Sequence, residues 1–221
     1  MKKFFALCAF ILLLCSACYA RNANDNIISR YYKIKWSIFE SMPRNEGSIV
    51  FLGDSLTDYV KFDEFFPDLN TKNRGIAGDT TVGVLNRIDE VVSLKPSKLF
   101  LLIGTNDIVF HMKAEETVSN IKKIIEIFNE KSPNTAIYVQ TLFPVNHNLG
   151  DKRRPHKAIR AINNRLKKLS EEMNNFTLID TYSLFAENGE MPERFTIDGV
   201  HLNGAGVVRW VEFLTTWIKD K

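Results

Sequence analysis

The chain has 221 residues, 45% of them hydrophobic and 25% charged. That length is ample for one self-sufficient core, and the composition excludes collagen-like, coiled-coil and disordered chains. The 29 basic and 26 acidic residues leave a net charge of only +3, too even for a nucleic-acid binder.

The first element is a leader. Residues 1–20 read MKKFFALCAFILLLCSACYA, with Lys2 and Lys3 ahead of an apolar run from Phe4 to Leu14. A basic start, a short apolar stretch and small residues after it are the plan of a signal peptide. The run is too short for a permanent span of roughly 18–20 residues. Cleavage after Ala20 would put Cys18 and Ala20 at the small-residue subsites. A lipoprotein signal would instead end before a lipid-modified Cys18, and an uncleaved anchor is a third reading. The expected location is periplasmic or extracellular, or the bacterial outer membrane if Cys18 carries lipid. Residues 21–221 then form a single domain. All three cysteines (Cys8, Cys15, Cys18) fall in the leader, so that domain has no disulfide framework, thiolate metal site or cysteine nucleophile.

After the leader, an amphipathic segment at 27–39 is expected to pack on the outside. Apolar runs then alternate with stretches of helical period. Strands are predicted at 48–52, 98–103, 136–140 and 176–179, with a weaker one at 69–74. Val84, Ile88 and Val91 share one face of a helix expected over 80–94. Val118, Ile121, Ile125 and Phe128 mark a second helix, and Ile159, Ile162, Leu166, Leu169 and Met173 a third. Val207, Val211, Leu214 and Ile218 mark the last. The alternation predicts an α/β fold with a parallel sheet of about five strands covered on both faces. Ligand sites in such sheets lie beyond the carboxyl ends of the strands.

Short motifs occupy those ends. Gly53-Asp54-Ser55-Leu56-Thr57 follows the first strand and can hold a serine out of the core on a tight turn. Asn73-Arg74-Gly75 closes the weak strand, where Gly75 could present a bare N–H. Gly104-Thr105-Asn106-Asp107 follows the strand at 98–103, and Asn106 could offer its amide to a developing oxyanion. Asp198-Gly199-Val200-His201 precedes the last helix, at a spacing that lets the carboxylate orient the imidazole. Singly these motifs read as a helix cap, a polar turn and a surface histidine. Their joint order carries far more.

In that order the sequence resembles the SGNH hydrolases, the GDSL esterase/lipase superfamily. The segments that carry the resemblance are 51–57, 73–80, 104–107 and 198–201, and 74–89 with 101–107 looks most like the platelet-activating-factor-acetylhydrolase-like branch with its bacterial O-acetylesterases. The resemblance implies a flavodoxin-like three-layer α/β/α sandwich. It implies a catalytic set of Ser55, His201 and Asp198, and an oxyanion hole from Ser55, Gly75 and Asn106. Asp54, Asp79, His147 and Arg153 are further candidates for substrate binding.

The connection 143–155 holds the basic run Lys152-Arg153-Arg154 and reads as a solvated loop or a cationic wall suited to acidic sugars. The aromatic cluster Tyr59, Phe62, Phe65 and Phe66 reads as core under the first helix or, alternatively, as the lining of an acyl pocket or a sugar platform. No phosphate-cradling glycine loop and no histidine spacing typical of a metal set is present, so no cofactor and no metal are expected. The expected activity is a secreted serine esterase acting on short acyl esters, acetyl above all, of carbohydrates such as acetylated sialic acids or glycans. Its partner is then a small-molecule or glycan ester, with no nucleic acid, and with a membrane only through Cys18. A lysophospholipase or thioesterase for longer chains is the alternative enzyme, and a non-catalytic carbohydrate-binding module the alternative of another class.

Overall fold

The computed structural model describes residues 29–220. The leader, its cysteines and the start of the segment at 27–39 lie outside the described residues.

Five strands form one all-parallel sheet in the order β2-β1-β3-β4-β5. They are β1 (Ile49–Gly53), β2 (Thr71–Gly75), β3 (Lys98–Leu102), β4 (Ala136–Gln140) and β5 (Thr177–Ile179). β1 and β3 are buried almost throughout, which is why both read as continuous apolar runs rather than alternating ones. The helices are α1 (Arg30–Ser41), α2 (Ser55–Asp58), α3 (Phe62–Phe65), α4 (Thr81–Asn86), α5 (Ile88–Val92) and α6 (Thr105–Val109). After them come α7 (Ala114–Lys131), α8 (His156–Glu172), α9 (Thr181–Phe185) and α10 (Gly204–Lys219). Among the described residues, no helix is long and apolar enough to cross a membrane.

The layering follows from handedness. A right-handed crossover from β1 outward to β2 puts α2 and α3 on one face. The same rule puts α5, α7 and α8, on the crossovers running the other way, on the opposite face. Phe51, Phe100 and Tyr138 stand in register across β1, β3 and β4 and stack at 5.1 and 4.8 Å between centroids. Phe62 of α3 stacks on Phe51 and meets Trp210 of α10 edge-on, so α10 shares the face of α3. Sandwiched burial of this kind supplies most of the stability of such a domain.

Several boundaries differ from the expectation. The helix expected over 80–94 is two helices, α4 and α5, broken at Arg87. Its buried guanidinium is drawn inward to Asp79 Oδ2 (2.9 and 2.8 Å) and the carbonyl oxygens of Arg74 (2.9 Å) and Gly53 (3.3 Å). A buried cation that ties together two strand ends outweighs one continuous helix. β2 looked weak because it is an edge strand with Asn73 and Arg74 in it. Arg74 is nonetheless buried, paired with Glu90 at 3.0 Å and lying over the Phe39 ring.

α1 packs as expected on the outside, with Tyr32 and Phe39 covering Ile76. Its Tyr32 hydroxyl donates to the Gly83 carbonyl at 2.6 Å.

The chain leaves β1 for β2 on one side and later fills β3, β4 and β5 on the other. The carboxyl ends of β1 and β3 therefore flank a topological switch point, where open α/β sheets take their ligands.

Candidate active site

Ser55 and Asn106 lie in the first turns of the helices that leave β1 and β3, on either side of that switch point. Gly53 ends β1 because nothing larger fits. A Cβ there would lie 2.3 Å from the Leu102 carbonyl and 2.4 Å from Thr57 Oγ1. The close approach lets α2 turn back over the strand ends with Ser55 in its first position. Asp54 caps it, with Oδ1 accepting from Leu56 N–H at 3.0 Å.

A hydrogen-bonded relay runs outward from Ser55. Its Oγ lies 2.9 Å from His201 Nε2, and His201 Nδ1 lies 2.6 Å from Asp198 Oδ2. The other carboxylate oxygen of Asp198 accepts from the backbone N–H groups of His201 (2.8 Å) and Val200 (3.0 Å). Hydrogen bonds from His201 and from those amides overcome the cost of burial and hold the Asp198 carboxyl below the usual range. The Tyr59 ring lies 5.4 Å from the imidazole and is largely exposed, as is Ile197, which donates its N–H to the His201 carbonyl. The aromatic cluster thus divides: Phe62 and Phe66 are core, Tyr59 and Phe65 face out.

Asn106 is held at both ends. Its Nδ2 donates to the Asp79 carbonyl at 2.9 Å, and its Oδ1 accepts from Arg154 Nη2 at 2.8 Å. Arg154 also donates to Thr105 Oγ1 at 3.1 Å and pairs with Asp151. A carboxamide gripped through its oxygen by a cation cannot flip, so its N–H₂ end stays directed to the Asp79 side.

Gly75 differs from expectation. Its N–H donates to Asn73 Oδ1 at 2.7 Å, and a Cβ on it would fall 2.2 Å from Asp58 N. That glycine lets α2 rest on β2, and its N–H is already taken. Three residues on, Gly78 sits exposed at φ +82° in the Ile76–Asp79 turn, beside the carbonyl that Asn106 holds. Among the described residues no partner engages its N–H.

The four residues proposed for substrate contact sit elsewhere. Asp54 and Asp79 are 1% and 2% exposed. Burial pushes the Asp54 carboxyl up to about 7 and that of Asp79 to about 6, against the opposing pull of Arg87 on Asp79. Both are internal braces. Arg153 points into solvent and is paired with Asp151 through two contacts of 2.9 Å. His147 faces His156, with Nε2 3.0 Å from the Arg154 carbonyl.

The connection 143–155 is solvated through its middle but anchored at both ends, and it forms no cationic wall. Phe143 and Val145 are core, Asn146 is buried, and Arg154 is turned inward. Asn146 N–H donates to the Gly199 carbonyl at 2.8 Å, which clamps the 198–201 loop against this strap. Arg154, Asn146 and Gly78 escaped the sequence reading. Arg154 was hidden in a run of charges, and nothing local signals a partner 48 positions away.

The family model described as GDSL-like Lipase/Acylhydrolase matches residues 51–208. The chain belongs to that family. The human platelet-activating factor acetylhydrolase IB subunit alpha2 is 32% identical over 172 residues, spanning 74% of this chain and 72% of its own length. A GDSL-like lipase of Bacteroides thetaiotaomicron shares the fold with a TM-score of 0.73 at 22% identity, covering 85% of this chain and 97% of its own. So does the acetylxylan esterase Axe2 of Geobacillus stearothermophilus, with a TM-score of 0.63 at 21% identity over 81% and 98%. As a GDSL acylhydrolase the protein is an ester hydrolase. The family match covers every segment that builds the site and leaves α1 outside it.

Proposed function

We propose that the protein is an exported serine esterase that removes short acyl groups, acetyl in particular, from carbohydrate alcohols. The observation that carries the reading is the relay Ser55–His201–Asp198, at 2.9 and 2.6 Å. His201 takes the hydroxyl proton as Ser55 attacks the ester carbonyl, and Asp198 fixes the tautomer and stabilises the imidazolium. The oxyanion meets the N–H of Ser55, the Asn106 amide and, in place of Gly75, the free N–H of Gly78. The alcohol leaves with the proton held by His201. Water then repeats the attack on the acyl-enzyme, and Ser55 is regenerated.

The acetylhydrolase relative and the acetylxylan esterase neighbour support a small acyl group. An exposed Tyr59 ring beside His201 supplies an apolar platform of the sort on which a sugar face can rest. With Arg153 bound to Asp151 and Arg154 buried, the case for acidic sugars weakens, and a neutral acetylated glycan fits better. Export rests on residues 1–20 alone, and the mass of the mature N-terminus tests it: Arg21 free, or a lipidated Cys18.

The deciding assay is hydrolysis of p-nitrophenyl esters from acetate to palmitate, with Ser55→Ala as the blank, followed by acetylated xylan. Activity that peaks at acetate and vanishes in the blank supports the proposal. A maximum at long chains replaces it with a lysophospholipase, and turnover undiminished in Ser55→Ala removes the serine mechanism.

A further inference from the structure

His147 and His156 are nine positions apart and Glu190 lies 34 beyond, so no compact ligand motif announces them. The fold nevertheless brings them together. One ligand-type atom from each lies within 4.8 Å of the other two, and the two imidazole centroids are 4.1 Å apart. His147 is in the short turn of the 143–155 strap, His156 opens α8, and Glu190 sits in the bridged turn with Glu187.

The polar atoms of this cluster are unbalanced. His147 Nε2 meets the Arg154 carbonyl at 3.0 Å, an acceptor, so that nitrogen carries the proton and Nδ1 keeps the lone pair. His156 Nε2 meets Glu190 Oε1 at 3.2 Å, which likewise places its proton on Nε2. His156 Nδ1 and Glu190 Oε2 are then left buried with no partner. A cation that displaces the proton between His156 Nε2 and Glu190 Oε1 finds a ligand-type atom of His147 within 4.8 Å of both.

We propose that His147, His156 and Glu190 form a binding site for a divalent transition metal of the zinc class. Two imidazoles and one carboxylate match the donor preference of such ions, with the remaining coordination position open to water. Zinc bonds of about 2.0–2.2 Å need ligand atoms roughly 3.3 Å apart in a tetrahedral arrangement. Closing from within 4.8 Å asks only for side-chain adjustment. The Arg154 carbonyl that orients His147 is the outer-shell contact a ligating histidine requires. The bound ion is a clip that fastens the strap to the Glu187–Glu190 turn.

The test is equilibrium dialysis of the full chain, stripped with EDTA, against zinc, for wild type, His156→Gln and Glu190→Gln, with thermal unfolding run in parallel. Because Cys8, Cys15 and Cys18 can hold zinc themselves, the readout is the difference between proteins. Wild type should bind one more ion than either variant at micromolar free zinc. Its melting temperature should rise with zinc by more than theirs. Equal stoichiometry in all three proteins overturns the proposal, as does binding that needs millimolar metal. Should His156→Gln fail to fold, Glu190→Gln alone decides, since its side chain is partly exposed.

Discussion

Arg154 Nη2 donates to Asn106 Oδ1 at 2.8 Å, and both side chains are buried. Together with the Asp79 carbonyl that Nδ2 meets at 2.9 Å, that contact fixes which way the Asn106 carboxamide points. Asn106→Ala should lower kcat by about 10²–10³ if the amide meets the oxyanion. Arg154→Ala should lower it by a smaller factor, on the order of 10–100, because the amide survives but is held only through its bond to the Asp79 carbonyl. KM should change little in both. Steady-state kinetics on a short-chain ester separate the two, and an Arg154→Ala enzyme with full kcat refutes the positioning role.

Asp198 accepts three hydrogen bonds, two of them from backbone amides of its own loop. Asp198→Asn keeps the loop geometry largely in place while removing the charge and disturbing the tautomer of His201. The expected outcome is a fall in kcat of about 10⁴ with unfolding midpoints close to wild type. Activity within tenfold of wild type excludes Asp198 as the orienting group.

Gly75→Ala distinguishes steric from catalytic need. A Cβ 2.2 Å from Asp58 N must push α2 away from β2, at a cost of about 1–3 kcal/mol. Urea unfolding should show that loss. A variant with unchanged stability but depressed kcat would instead return Gly75 to the oxyanion hole.

The buried Asp54 carboxyl sets a pH dependence of stability. Burial raises it from 3.8 to about 7, so between those values the folded protein binds more protons than the unfolded chain. Stability then falls as pH rises through that window and levels off above it. Asp54→Asn keeps the Oδ1 cap on Leu56 N–H and removes the titration. Its urea midpoint should decline less than that of wild type between about pH 5 and about pH 7. Parallel declines would assign the slope to other groups, Asp79 first among them.

What the sequence made legible is what local chemistry determines. Runs such as Leu99–Leu102 signal buried strands, and the order of strand ends points to where Ser55 and Asn106 meet. Asp198 and His201 could be paired because their contact spans three positions within one loop. The break at Arg87 could not be foreseen, because its partners are the carbonyls of two strand ends. The two glycines of the 75–78 segment look alike in sequence. They separate only once Asn73 is seen bonded to one of them and the other at positive φ. Of the two readings open to the aromatic cluster, Phe62 takes the core, while the short α2 turns Tyr59 to solvent beside the imidazole.

The strap from Phe143 to Pro155 has a consequence for how this enzyme can vary. Near one end Asn146 grips the loop of Asp198 and His201, and near the other Arg154 grips Asn106. On the proposed mechanism, the proton-transfer half of the machinery and the charge-stabilising half are thus yoked to one short length of chain. An insertion between residues 146 and 154 would disturb both at once, while one in the polar turn after Leu94 would disturb neither. Loops of this fold that are free to diverge in length should therefore be found away from the strap, and evolution toward new substrates has to proceed by exchanging its outward side chains, Leu149, Lys152 and Arg153, rather than by lengthening it.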